Sequence, residues 1–323
     1  MISTNDSIER TAAALKALRL FLAVGLIGLG GSGCALKRVT INALGDAIAD
    51  SGSTFSSDDD PELVKAAVPF SLKLMESLLA ESPRHRGLLT AAASGFTQYA
   101  YAFVEQESDE LRKTDLSRSR ELRARAKKLY LRARDYGLRG LTLCRKDFVP
   151  ALEADPRAAV AKLTAADVPL LYWTAAAWVA AVTADKTDAL LIGDLPKVDA
   201  MLERALELDE RFEHGALPAL MIAYETVRQG VDGDPYVRAE QRFRRALELS
   251  EGKLAGPYVS LAESVCIATE NRERFVQLLG AALAIDPGAA PDSRLANVIM
   301  QDRARWLSEH VDDYFLPPLD EKP

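Results

Sequence analysis

The chain has 323 residues, 48% of them hydrophobic and 7% aromatic, with 47 acidic against 40 basic side chains, a formal charge of −7 and a pI near 5.3. That apolar content fills the core of one large domain or two smaller ones, and the negative balance argues against general nucleic-acid binding. Alanine and leucine dominate while glycine and proline gather between segments, so the expected fold class is all-α.

In chain order, residues 1–33 read as an export signal. Arg10, Lys16 and Arg19 precede an apolar run from Leu20 to Leu29, and Gly30-Gly31-Ser32-Gly33 leads into Cys34. The run is too short to span a bilayer comfortably. Small residues ahead of a cysteine let an extended peptide enter a lipoprotein-processing site, and the Cys34 thiol is the group that takes a diacylglycerol thioether. Gly31 stands where such signals usually carry leucine, so an unlipidated export signal or a retained anchor fits the same residues. Removing residues 1–33, with three basic and two acidic side chains, leaves −7 − (3 − 2) = −8. Gly28-Leu29-Gly30-Gly31-Ser32-Gly33 also matches a dinucleotide-binding fingerprint, with Asp50 downstream. The 17 residues from Gly33 to Asp50 hold no helix followed by a second strand, which excludes that fold.

Residues 34–57 read as a tether and 58–323 as the helical domain. Asp58-Asp59-Asp60-Pro61-Glu62 suits a helix amino terminus, where unpaired N–H groups favour negative charge and proline fits the first turn. The apolar spacing predicts helices over 63–80 and 88–105. In the second, Phe96, Tyr99 and Phe103 form one stripe, with Tyr101 beside it, as core or as the wall of an apolar groove. Residues 117–134 predict an amphipathic helix with a cationic face (Arg118, Arg120, Arg125 and Lys128 among others), and Gly137 and Gly140 are expected to loosen its end. Residues 148–156 read as a link and a short helix follows. The 170–182 helix, with Tyr172, Trp173 and Trp178, is so apolar that it belongs at the centre or against a cavity. Phe96, Tyr99, Phe103, Trp173 and Trp178 are the candidates for a ligand groove.

From residue 194 onward a helix ending recurs. Arg204-Ala205-Leu206-Glu207-Leu208 returns as Arg245-Ala246-Leu247-Glu248-Leu249, then as Ala281-Ala282-Leu283-Ala284-Ile285, at intervals of 246 − 205 = 41 and 282 − 246 = 36 residues. Alanine lets helix backbones approach and the leucines fill the gap, which suits a tetratricopeptide-like (TPR-like) helix-turn-helix repeat of about four helix pairs. Helices are expected over 194–208, 215–228, 235–249, 256–269, 272–285 and 294–314.

No metal or catalytic motif emerges. His85, His214 and His310 stand apart, and there is no nucleophile elbow, phosphate loop or Cys-x-x-Cys. No cofactor is expected. Cys144 and Cys266 lie in apolar helical patterns and read as buried free thiols rather than a disulfide.

Several stretches together resemble the TRAP-transporter-associated T component (TatT) family of periplasmic TPR-like lipoproteins. They are Asp60-Pro61-Glu62-Leu63-Val64, Gly95-Phe96-Thr97-Gln98-Tyr99-Ala100-Tyr101-Ala102-Phe103, Tyr136-Gly137-Leu138-Arg139, Asp194-Leu195-Pro196, and Arg303-Ala304-Arg305-Trp306-Leu307. The resemblance implies a non-enzymatic scaffold that partners the solute-binding subunit of a tripartite ATP-independent periplasmic (TRAP) transporter. It also implies a homotrimer and a central apolar channel delivering a small ligand. Ala35, in place of an aspartate after Cys34, points to the periplasmic leaflet of the outer membrane. The alternative function is a general lipoprotein scaffold for envelope assembly.

Overall fold

Asp60 starts the first long helix: its carboxylate accepts the Leu63 N–H at 3.0 Å, and Pro61 occupies the first turn. Asp115, Asp155, Asp188, Asp234 and Asn271 cap later helices in the same way. The computed structural model describes residues 42–49 and 52–315, and no strand occurs among them. The leader, Cys34 and most of the tether lie outside those residues.

The helices are α1 (42–49), α2 (Gly52–Ser56), α3 (Pro61–Glu81), α4 (Arg86–Ala100), α5 (Gln106–Glu110), α6 (Leu116–Cys144), α7 (Phe148–Ala154), α8 (Pro156–Val160) and α9 (Val168–Ala184). Then come α10 (Ala189–Gly193), α11 (Leu195–Asp209), α12 (Ala216–Tyr224), α13 (Pro235–Leu249), α14 (Gly256–Leu261), α15 (Arg272–Leu283) and α16 (Arg294–Glu309). One course touches in order: α4 on α9, α9 on α12, α12 on α14, α14 on α16. A second course packs across it, with α6 across α4 and α9, α11 across α9 and α12, α13 across α12 and α14, and α15 across α14 and α16. The last helix then returns to α2 and α3, so the row closes on itself. Ion pairs seal the joint at Arg294–Asp59 (3.5 Å) and Lys113–Asp313 (2.5 Å).

The expected α6 boundary was too short. Gly137 and Gly140 do not loosen the helix, which runs to Cys144; they let it approach α9. A Cβ on Gly137 would stand 2.0 Å from Thr174 Oγ1, and one on Gly140 would stand 2.5 Å from Leu170 Cδ2. Residues 148–156, read as a link, contain helix α7, with Phe148 and Leu152 buried. Helix α9 with its preceding turn, Ala165–Ala184, is long and apolar enough to cross a membrane by length and composition, yet two-thirds of that span is buried inside the fold. It is the central core helix. Cys266 is buried as expected, whereas Cys144 is exposed at the end of α6, and neither forms a disulfide.

Candidate functional site: the inner wall at the closure

Two helices of the first course slip from i→i+4 to i→i+5 hydrogen bonding. In the chain after α4, residues Tyr101–Glu105 form a π turn, with the Gln106 N–H bonding to Tyr101 O; after α14, Ala262–Cys266 does the same, Ile267 N–H to Ala262 O at 3.4 Å. Such a turn inserts one extra residue and re-aims the side chains beyond it. Here the two turns present Tyr101, Glu105 and Glu263 to one place, where they meet Arg303 of α16.

Arg303 is 5% exposed and donates to Glu263 Oε1 from Nη2 at 2.5 Å and from Nε at 3.1 Å. Its Nη2 also reaches Asp109 Oδ2 at 3.2 Å, and Asp109 in turn accepts from Arg123. The guanidinium stacks 4.9 Å over the Trp306 ring, and its buried Nη1 has no partner. Burial raises the Glu263 carboxyl, against the pull of Arg303. Burial likewise pushes Glu105 up to about 7, although the Tyr130 hydroxyl donates to it. Two cations, Arg303 and Arg123, face two paired carboxylates, Glu263 and Asp109, so the group is nearly neutral when Glu105 is protonated.

Tyr101 is 39% exposed, yet surrounding protein desolvates its phenol and raises it well above the ordinary value. Both hold for a partly exposed phenol flanked by Glu263, Arg303 and Glu105. Its hydroxyl lies 3.7 Å from Met300 Sδ of α16. Glu263 shows the same combination, its side chain 27% exposed. A second aromatic patch sits on α9. Tyr172 meets Trp173 edge-on at 4.8 Å and Phe212 at 5.3 Å, and burial raises its phenol too. Beside them Glu213, exposed, has its carboxyl pushed up to about 7 by the protein around it, while the Trp173 indole bonds to it. Three consecutive residues hold this corner in the left-handed region: Glu213 (φ 43), His214 (φ 57) and Gly215 (φ 90). The two non-glycine residues cost on the order of 1 kcal/mol each.

The five groove candidates are not gathered together. Phe96, Tyr99 and Trp178 are 3%, 9% and 3% exposed and belong to the core. Phe96 stacks on Tyr136 at 5.9 Å, and Phe103 is half-buried against Tyr99 at 5.7 Å. Arginines of α6 cover the aromatic stripe from outside. Trp173 alone of the five stands in the α9 wall patch. Glu105, Asp109, Glu213 and Glu263 carry no site expectation in the sequence, and Arg303 stands there only within the Arg303–Leu307 stretch of the family resemblance. Lone carboxylates inside apolar runs, such as Glu263 between Ala262 and Val265, were the available signal. No group of three or more His, Cys, Asp or Glu side chains with metal-site geometry exists among the described residues.

A family model described as TRAP transporter T-component matches residues 57–315, from the turn before the Asp60 cap through the residues that follow α16. The chain belongs to that family. It is also 30% identical to an uncharacterised protein of Treponema pallidum (strain Nichols) over 303 residues, 88% of this chain and 94% of that protein. The T-component match takes in every helix from α3 to α16, and so includes both π turns and the closing contact. As a T-component, the protein is an accessory part of a TRAP transporter.

Proposed function

We propose that this T-component is a lipid-anchored periplasmic scaffold that docks the transporter's solute-binding subunit and holds a small apolar ligand against its inner wall. The observation behind the reading is the closed course of helices, with the aromatic side chains of Tyr101, Tyr172 and Trp173 only partly covered. An aromatic wall of that kind binds by removing apolar area from water, about 25 cal/mol per Å². The alternation of inner and outer helices supports a TPR-like superhelix. Ala205, Ala246 and Ala282, the markers of the recurring ending, are almost fully buried on α11, α13 and α15, which is what close helix approach requires.

In this reading residues 1–33 are removed, Cys34 carries the acyl anchor, residues 34–57 form the tether, and 58–323 stand in the periplasm beneath the outer membrane as a homotrimer. Affinity purification of the intact assembly recovers the solute-binding subunit if the docking is right. Recovery of no such subunit overturns the docking, a monomeric or dimeric mass overturns the trimer, and an unmodified Cys34 in mass spectrometry overturns the anchor.

A further inference from the structure

The outer face of α6 opposes the charge of the rest of the chain. Leu116–Cys144 carries nine basic and two acidic side chains, a balance of 9 − 2 = +7 in a protein of −7. Arg118, Arg125, Arg132 and Arg139 recur every seven residues and so share one side of the helix. The last three rest on rings: Arg125 lies 5.9 Å over Tyr99, Arg132 5.4 Å over Phe96 and Arg139 5.2 Å over Tyr136. Stacking holds a guanidinium in place while leaving its N–H edge outward. Arg120, Arg125, Lys128 and Arg139 have no carboxylate partner among the described residues, unlike Arg118, Arg123, Lys127, Arg132 and Arg134. A shallow pocket of about 440 Å³ opens between Lys128, Leu131, Arg132, Asp135, Tyr136 and Arg139.

The amino-terminal chain enters beside this face. Ser82 Oγ bonds to Asn42 Oδ1 at 2.8 Å, and His85 Nε2 bonds to Asn42 O at 3.2 Å. Arg139 Nη2 donates to Pro83 O in the same turn, at 3.4 Å. From Cys34 to residue 42 is 42 − 34 = 8 steps, which span at most about 29 Å. The stripe from Arg125 to Arg139 extends about 21 Å along the helix. A membrane carrying the Cys34 acyl chains is therefore within reach of the whole stripe.

We propose that the Arg125–Lys128–Arg139 face of α6 binds anionic phospholipid headgroups of the membrane in which Cys34 is anchored, fixing how the ring of helices stands on that membrane. One acyl signal with a basic patch is a stable combination where a single attachment is reversible. Each basic side chain near an anionic surface strengthens binding about fivefold. The proposal rests on the anchor reading for its geometry, and its test separates the two.

The full chain, purified from membranes, is placed in vesicles of phosphatidylcholine alone or with about a third phosphatidylglycerol, and its lysines are acetylated. Lys128 is the reporter and Lys162, exposed and remote in sequence, the control. On anionic vesicles Lys128 labelling falls at least about fivefold and Lys162 labelling does not change. Arg120→Gln/Arg125→Gln/Arg139→Gln restores labelling of Lys128, and circular dichroism checks that this variant folds. Arg211→Gln/Arg244→Gln, which removes charge elsewhere, leaves the protection intact. Equal Lys128 labelling on both vesicle types overturns the proposal, as does protection that arises only when the solute-binding subunit is added. An unacylated Cys34 with protected Lys128 overturns the anchor and leaves the headgroup contact standing.

Discussion

Gly137 of α6 lies against Thr174 of α9 so closely that a Cβ on the glycine would sit 2.0 Å from the threonine Oγ1. Thr174 is fully buried and its hydroxyl is already committed to Leu170 O at 2.5 Å, so it has no free rotamer to retreat into. In a solvent-facing helix Gly→Ala is stabilising by about 1 kcal/mol. Here overpacking wins: Gly137→Ala should lose about 1–3 kcal/mol. Urea unfolding measures it, and a gain in midpoint would mean that the two helices are farther apart than described.

That contact shows where local pattern stops being informative. Helix α13 is expected at 235–249 and spans Pro235–Leu249, because an Asp234 cap and a Pro235 first turn mark its start in plain chemistry. The all-helical fold and the apolar α9 follow from composition and spacing. Gly137 and Gly140 are visible as glycines, but what they approach is 30 or more residues away, so they read as breakers. The π turns leave no compositional trace, since a one-residue slip of the hydrogen-bond ladder needs no special residue. The closing pair Arg303–Asp109 joins positions 194 apart, beyond any periodicity. The aromatic stripe is visible in the sequence, but its burial depends on Arg125 and Arg132, which lie over Tyr99 and Phe96 from a helix the spacing does not connect to it.

Glu225, at the end of α12, is completely buried and bound by Arg238 Nε at 2.8 Å, Arg242 Nε at 3.1 Å and Arg228 Nη1 at 3.6 Å. It ties α12 to α13 at the junction between the two apolar cores. Glu225→Gln keeps the shape but leaves Arg238 and Arg242 without a carboxylate, while Arg228 keeps Asp199 and Glu203; removing one partner of a buried ion group costs about 3–5 kcal/mol. The loss should show as a lower melting temperature and as faster amide exchange in α12 and α13. Unchanged stability would mean that the arginines find water instead.

Glu105 should make stability depend on pH. Its carboxyl is held near 7 by burial, above its ordinary value of 4.5, so between those values the folded state binds more proton than the unfolded. Its contribution is fully present below about pH 4.5 and is lost as pH rises through about 7, on the order of 3 kcal/mol. Tyr130, Asp109, Arg123, Glu263 and Tyr101 all face it, so the difference between wild type and Glu105→Gln is the informative quantity. The glutamine still accepts from Tyr130. At pH 8 the variant should be the more stable protein, and at pH 4 the two should converge. A constant offset across that range would rule out a raised Glu105.

Glu213 offers an optical reading of the inner wall. Its carboxyl sits near 7 beside the Trp173 indole that bonds to it, so deprotonation places a full negative charge against that ring. Intrinsic fluorescence should therefore shift with a midpoint near pH 7. Trp306, half-buried and stacked 4.3 Å from His310, adds an indole signal of its own, so the measurement belongs in a Trp306→Phe background. There Glu213→Gln should abolish the transition while Trp178, buried in the core, contributes a constant baseline. A small apolar solute seated on Tyr172 and Trp173 would further desolvate the carboxyl and move the midpoint upward. A midpoint that stays fixed with solute present would place the solute somewhere other than this patch of wall.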